Sequence, residues 1–162
     1  MTYPALILNK GKEFSLQRLH PWVFSGAVQS PDSEPASGET VSLLASSKKP
    51  LALAAYSPGS QIRCRVWSFD AGTSIDTGFF RQKLQQAIAL RRNNGLLHSA
   101  AACRLVYSES DGLPGLIVDR YGDWLVVQFL SAGSEHWKDT IVSLLQELMP
   151  GHSIFERSDA SV

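Results

Sequence analysis

Cysteine is scarce in this chain. Only Cys64 and Cys103 occur, and they form no CxxC pair. That excludes a disulfide framework and a cysteine-based zinc site, and it fits a reduced compartment such as the cytoplasm. The four histidines, His20, His98, His136 and His152, share no metal-ligand spacing, so each reads as a surface or capping residue. No apolar run approaches the roughly 20 residues that a membrane-spanning helix needs. The opening Met1-Thr2-Tyr3-Pro4 has no basic stretch leading into an apolar one, so no secretory signal is expected. There is no Walker A motif, HExxH or GxSxG. No strand-like run leads into a G-x-G loop of the kind that holds a nucleotide cofactor. Disorder throughout is also excluded, because the chain is 44% hydrophobic and its apolar residues recur periodically.

Charge is balanced in total but unevenly distributed. Residues 1–103 carry eleven Lys/Arg against six Asp/Glu, and residues 104–162 carry four against nine. The first part is therefore expected to present an electropositive face suited to phosphate, and the second part a different role.

Short apolar runs bounded by Gly, Pro and Asn predict strands at Ala5–Leu8, Trp22–Phe24, Val41–Ala45, Leu51–Tyr56 and Ile62–Phe69. Phe14 to Leu19 predicts a helical turn stopped by Pro21. In the last of these strands Ile62, Cys64 and Val66 alternate with Arg63, Arg65 and Trp67, which places both arginines on one face. The pattern changes at Ala71-Gly72-Thr73-Ser74. Asp76 is a plausible N-cap for a helix to Asn94 with Phe80, Leu84, Ala87 and Ile88 on its apolar stripe. Strands follow at Arg104–Glu109, Leu116–Tyr121 and Trp124–Leu130. A helix capped by Ser134 and a strand at Ser153–Glu156 complete the pattern. The expected fold class is α+β: a small β-barrel over residues 1–72, then a central α+β domain over 73–162.

The candidate chemistry is that of RNA binding. In His20-Pro21-Trp22-Val23-Phe24-Ser25-Gly26, an indole beside an imidazole, with Arg18 and Lys10 nearby, can stack bases and hold phosphates. The competing reading makes Trp22 and Phe24 core anchors. Arg63 and Arg65 suit phosphate because a guanidinium forms a planar fork of donors, although a solvated strand face would also explain them. Glu109, Asp111, Asp119 and Asp123 sit at turns, where carboxylates commonly bond their own backbone, so catalysis by them is not expected. Cys64 falls on the apolar strand face as a buried thiol.

The run Gly11-Lys12-Glu13, Arg18 and His20-Pro21-Trp22-Val23-Phe24-Ser25-Gly26 resembles the start of the ribosomal RNA large subunit methyltransferase I family. Glu109-Ser110-Asp111-Gly112-Leu113-Pro114-Gly115 through Gly122, and Arg157-Ser158-Asp159, are similar to two further family segments. The resemblance implies a PUA domain, a central strand-strand-helix-strand domain and a Rossmann-like methyltransferase domain, the last expected to be absent from this chain. It also implies a 23S ribosomal RNA partner, and S-adenosylmethionine as cofactor of the full-length parent with none expected here. Methyl transfer would go to cytosine C5, with no catalytic residue in this chain. A second copy of the chain is a further candidate partner. The competing expectation is a stand-alone RNA-binding or interaction module without catalysis.

Overall fold

Alternating apolar and polar residues become strands, and the strands pair into two separate sheets. The computed structural model describes residues 3–29, 33–97 and 102–158. His98 and the end of the Arg157-Ser158-Asp159 segment lie outside the described residues. The chain divides into two compact units, Met1–Ile75 and Asp76–Val162. The Tyr3 hydroxyl accepts the Ile75 N–H at 2.8 Å, which ties the chain to the first unit up to that residue.

In the first unit, β1 (Ala5–Ile7), β2 (Trp22–Phe24), β3 (Thr40–Leu44), β4 (Pro50–Tyr56) and β5 (Ile62–Ser68) form one sheet in the order β1-β3-β4-β5-β2. Among these strands the β1–β3 pair is parallel and the other pairs are antiparallel. The sheet curls until the segments just past its two edge strands meet. Leu8 bridges Val28, Asn9 N–H donates to Ala27 O at 2.9 Å, and Gln29 N–H donates to Ile7 O at 2.9 Å. Edge groups that would face water are thereby paired. Leu6, Leu8, Val23, Leu43 and Cys64 fill the interior, joined by Leu16 from the short helix α1 (Phe14–Gln17). That helix ends at Gln17, and Leu19, with φ of +59°, turns the chain away before Pro21 is reached. Trp67 falls in phase with the two arginines in the sequence, yet it is buried. Strict alternation fails along this strand: β4 and β5 shift register between Leu53 and Ala54.

The second unit opens with α2 (Thr77–Asn93), capped where Asp76 Oδ1 accepts the Phe79 N–H at 3.0 Å. Phe80, Leu84, Ala87 and Ile88 are buried, as the stripe predicts. Its sheet runs β6 (Cys103–Tyr107), β7 (Leu116–Tyr121), β8 (Trp124–Phe129) and β9 (Ser153–Glu156), in that order. Three antiparallel strands thus precede the crossover helices α3 (Ala132–His136) and α4 (Lys138–Leu148), and β9 returns parallel to β8. This corrects the strand-strand-helix-strand order implied by the resemblance and agrees with the three strands read from the residues before the helix. Gly122, at φ +56°, turns β7 straight into β8 with Tyr121 opposite Trp124. The cap is also corrected from Ser134 to Ser131. Ser131 has extended backbone and its Oγ accepts the Ser134 N–H, while Ser134 Oγ accepts the Ser131 N–H in return.

Of the four acidic turn residues, Asp111 and Asp119 are held by arginines, and Asp111 also bonds nearby backbone as expected. Asp111 takes a bidentate pair from Arg91 at 2.6 and 2.8 Å, besides the Tyr107 N–H at 2.6 Å. Asp119 takes another from Arg104 at 2.8 and 3.0 Å. Among the described residues, no group of three or more His, Cys, Asp or Glu could hold a metal ion. No helix among them is long and apolar enough to cross a membrane.

Candidate nucleic-acid interface

A turn and a strand end face each other across a cleft in the first unit. One wall is the turn Asn9–Lys12 and the start of α1. Gly11, at φ +81°, reverses the chain there, and Lys12 N–H donates to Asn9 O at 2.9 Å. The other wall is β2 and the 3-10 turn Ser25–Ala27. Asn9 clamps the two walls: its backbone N–H donates to Ala27 O and its side-chain amide donates to Gly26 O at 3.2 Å. The cleft has a volume of about 440 Å³, and Lys12, Ser15, His20, Trp22 and Phe24 contribute its side chains.

The rings are held in place by their neighbours. Trp22 N–H donates to His20 Nδ1 at 3.2 Å, and the two rings stand edge to face at 5.9 Å and 80°. Arg65, directly opposite Trp22 in the β2–β5 register, lays its guanidinium 5.4 Å from the indole centroid. Such a contact is worth about 0.5–1 kcal/mol at an exposed site. Val23 points into the core while Phe24 is 51% exposed at the cleft. The period of two in Trp22-Val23-Phe24 therefore puts both rings outward. The strand period carries that signal in the sequence, but the hydrophobicity of Phe24 argues the other way, and the core-anchor reading of Phe24 is corrected here. Lys12 is a site residue that the structure adds; in the sequence it stands out only as part of the Gly11-Lys12-Glu13 run.

The remaining residues are more dispersed. Lys10 and Arg18 are exposed on the turn and at the end of α1, outside the cleft lining. Arg63 shares the strand face of Arg65 but leans toward β4. Its guanidinium donates to Pro58 O and lies 5.8 Å from the Tyr56 ring centroid. Burial, with a hydrogen bond to Glu34, holds the Tyr56 phenol above its ordinary range, while Arg63 opposes the shift. Burial pushes the Cys64 thiol up to about 12, with the Arg63 charge opposing, so it is an inert core group. In the second unit a cleft of about 440 Å³ is lined in part by Arg91, Arg104, Cys103 and Tyr107. Both arginines there are already paired with carboxylates.

Residues 6–69 match the family model of a PUA-like domain. The chain is 47% identical over 160 residues to a ribosomal RNA large subunit methyltransferase I from Klebsiella pneumoniae, covering 99% of this chain and 40% of the relative. It is 49% identical over 157 residues to the protein of the same name from Escherichia coli K12, covering 97% and 40%. The chain thus spans about two fifths of the length of these relatives. Among solved structures, a protein from Streptococcus mutans described as a SAM-dependent methyltransferase superposes with a TM-score of 0.81 at 19% identity, covering 96% of this chain and 40% of that one. A structure described as a methyltransferase complexed with SAH gives 0.82 at 19% identity, with the same coverage. At that identity, these two likenesses show the fold.

Proposed function

We propose that this chain is the RNA-docking part of an enzyme of the ribosomal RNA large subunit methyltransferase I kind, on the premise of its 47–49% identity to those relatives and its PUA-like match. The parent would transfer a methyl group from S-adenosylmethionine to C5 of a cytosine in 23S ribosomal RNA, in the cytoplasm. Residues 1–72 would be the PUA-type RNA-binding domain and residues 73–162 the α+β spacer that orients it. The observation that carries this reading is the clamped cleft with His20, Trp22 and Phe24 beside Lys12, adjoined by the Arg65 guanidinium. Rings stack on bases and cations hold phosphates, and both chemistries meet here. Lys10, Arg18, Arg63 and Arg65 would add the surrounding phosphate contacts.

The parallel crossover of the second unit does not fit S-adenosylmethionine. The parallel β8–α3–α4–β9 crossover is the place where such a ligand would meet a strand end and a helix start. That junction is packed shut. Ser131 and Ser134 are buried, and their hydroxyls donate to Pro114 O and Gly115 O, each at 3.1 Å. We therefore place the donor site in a part of the parent outside these residues and derive no step through it. Calorimetry of the chain with S-adenosylmethionine is expected to give no tight binding. A micromolar heat signal at one site would overturn the domain assignment.

Binding should be tested by titrating the chain with 23S ribosomal RNA fragments at two salt concentrations. Affinity is expected to fall linearly with salt on logarithmic axes. Replacing Arg63 and Arg65 together by Ala should weaken binding and flatten that line, by up to about 0.7–0.9 in slope for each phosphate no longer neutralised. An unchanged slope would remove both arginines from the interface. Absence of binding to every fragment would remove the docking role itself. Solution mass measured on the same samples shows whether a second copy is a partner.

A further inference from the structure

The composition of the cleft wall is selective about which form of RNA can enter. Among the described residues, three rings, His20, Trp22 and Phe24, line it with a single cation, Lys12, and no carboxylate. A surface that grips duplex RNA reads shape, spreading its contacts along the backbone over about 16 base pairs. This site is instead a concavity of about 440 Å³. That lies within the roughly 300–1,000 Å³ of small-molecule sites. Rings beside a single cation suit a base with its one phosphate, because every base offers a π-face to an aromatic ring.

The rings also differ in availability. Arg65 already covers Trp22, and His20 meets it edge-on, so the indole is a fixed wall. Phe24 is 51% exposed. A half-exposed phenyl ring is the surface from which a stacked base gains most on leaving water. Lys12 stands on the opposite wall, where the Gly11 turn is held by Asn9. The two walls are clamped by the Asn9 bonds to Gly26 O and Ala27 O, so little ordering remains to be done on binding.

We infer that this cleft holds one unpaired nucleotide, its base stacked on Phe24 against the Trp22 wall and its phosphate at Lys12. The inference rests on the RNA-docking reading and narrows it to single-stranded or extruded RNA. A nucleotide locked in a duplex keeps its base inside the stack and cannot reach Phe24.

The test compares a short single-stranded RNA with a duplex of about 16 base pairs, each titrated into the full 162-residue chain by fluorescence anisotropy. The single strand is expected to bind more tightly. Phe24→Ala should weaken it about 5- to 150-fold, the range for removing one base stack, without altering the salt slope. Phe24→Tyr should restore affinity. Lys12→Ala should lower the single-strand salt slope by about 0.7, the value for one phosphate. Because Phe24 and Lys12 are exposed, both variants should keep the melting temperature of the parent chain. Duplex bound as tightly as single strand, or single-strand affinity unchanged in Phe24→Ala, would overturn the unpaired-nucleotide site while leaving RNA docking intact. Failure to bind either RNA would overturn both.

Discussion

Gly115→Ala is expected to lose at least about 3 kcal/mol of stability in the second unit. Gly115 is buried with φ +77°, in the left-handed region that costs a residue with a side chain roughly 1–2 kcal/mol. Space makes the strain worse. A Cβ there would lie 2.2 Å from Ser131 Oγ, 2.5 Å from Ser131 Cβ and 3.0 Å from Ser131 N. The first two atoms are a side chain pinned by its own bonds, and the third is backbone, so none can swing aside cheaply. Displacing Ser131 breaks the cap of α3, typically worth about 1 kcal/mol. Shifting Gly115 instead strains the bond from Leu130 N–H to Gly115 O at 2.7 Å and that from Gly115 N–H to Ser108 Oγ at 2.8 Å. Equilibrium unfolding in urea reads the loss directly. A change below about 1 kcal/mol, less than the backbone strain alone, would mean that the junction is looser than its geometry indicates.

Arg91→Ala should destabilise the second unit by about 3–5 kcal/mol, the cost of stranding one member of a buried ion pair. Only 12% of the Arg91 side chain and 7% of the Asp111 side chain are exposed. Arg91 also donates from Nε to Arg104 O at 3.0 Å, so α2 is stitched to the start of β6 by the same guanidinium that anchors the turn after it. Asp111 without this partner still accepts the Tyr107 N–H but keeps an uncompensated charge in a site short of water. Arg91→Met combined with Asp111→Leu should recover most of the loss, since both charges then leave together. Urea unfolding of both single variants and the double one completes the cycle. Additive losses would show that the two side chains do not act as a pair.

These two positions also show why much of the second unit is hard to read in sequence. Ser110-Asp111-Gly112-Leu113-Pro114-Gly115 declares a turn, and a turn forms there. Nothing local indicates that Asp111 is matched to Arg91 across the sheet edge, or that Gly115 must leave room for Ser131. Carboxylates at turns ordinarily bond nearby backbone, and Asp111 does so as well, through Tyr107. Its stronger partner comes from another element. The first unit repeats the pattern at Phe24. Hydrophobicity argues for burial and strand periodicity for exposure, and only the placement of Val23 in the core decides between them.

From the residues alone came the strands, the period of α2, its Asp76 cap and the burial of Cys64. Each follows from rules that act within a few residues: side-chain alternation, helical spacing and the capping of free N–H groups. Tertiary structure decided the curl that sets the Asn9–Lys12 turn against Ser25–Ala27, the parallel return of β9 and the choice of ion-pair partners. Those depend on which distant segments meet, and that is set by the shared burial of groups far apart in the chain, for which no short stretch carries the information.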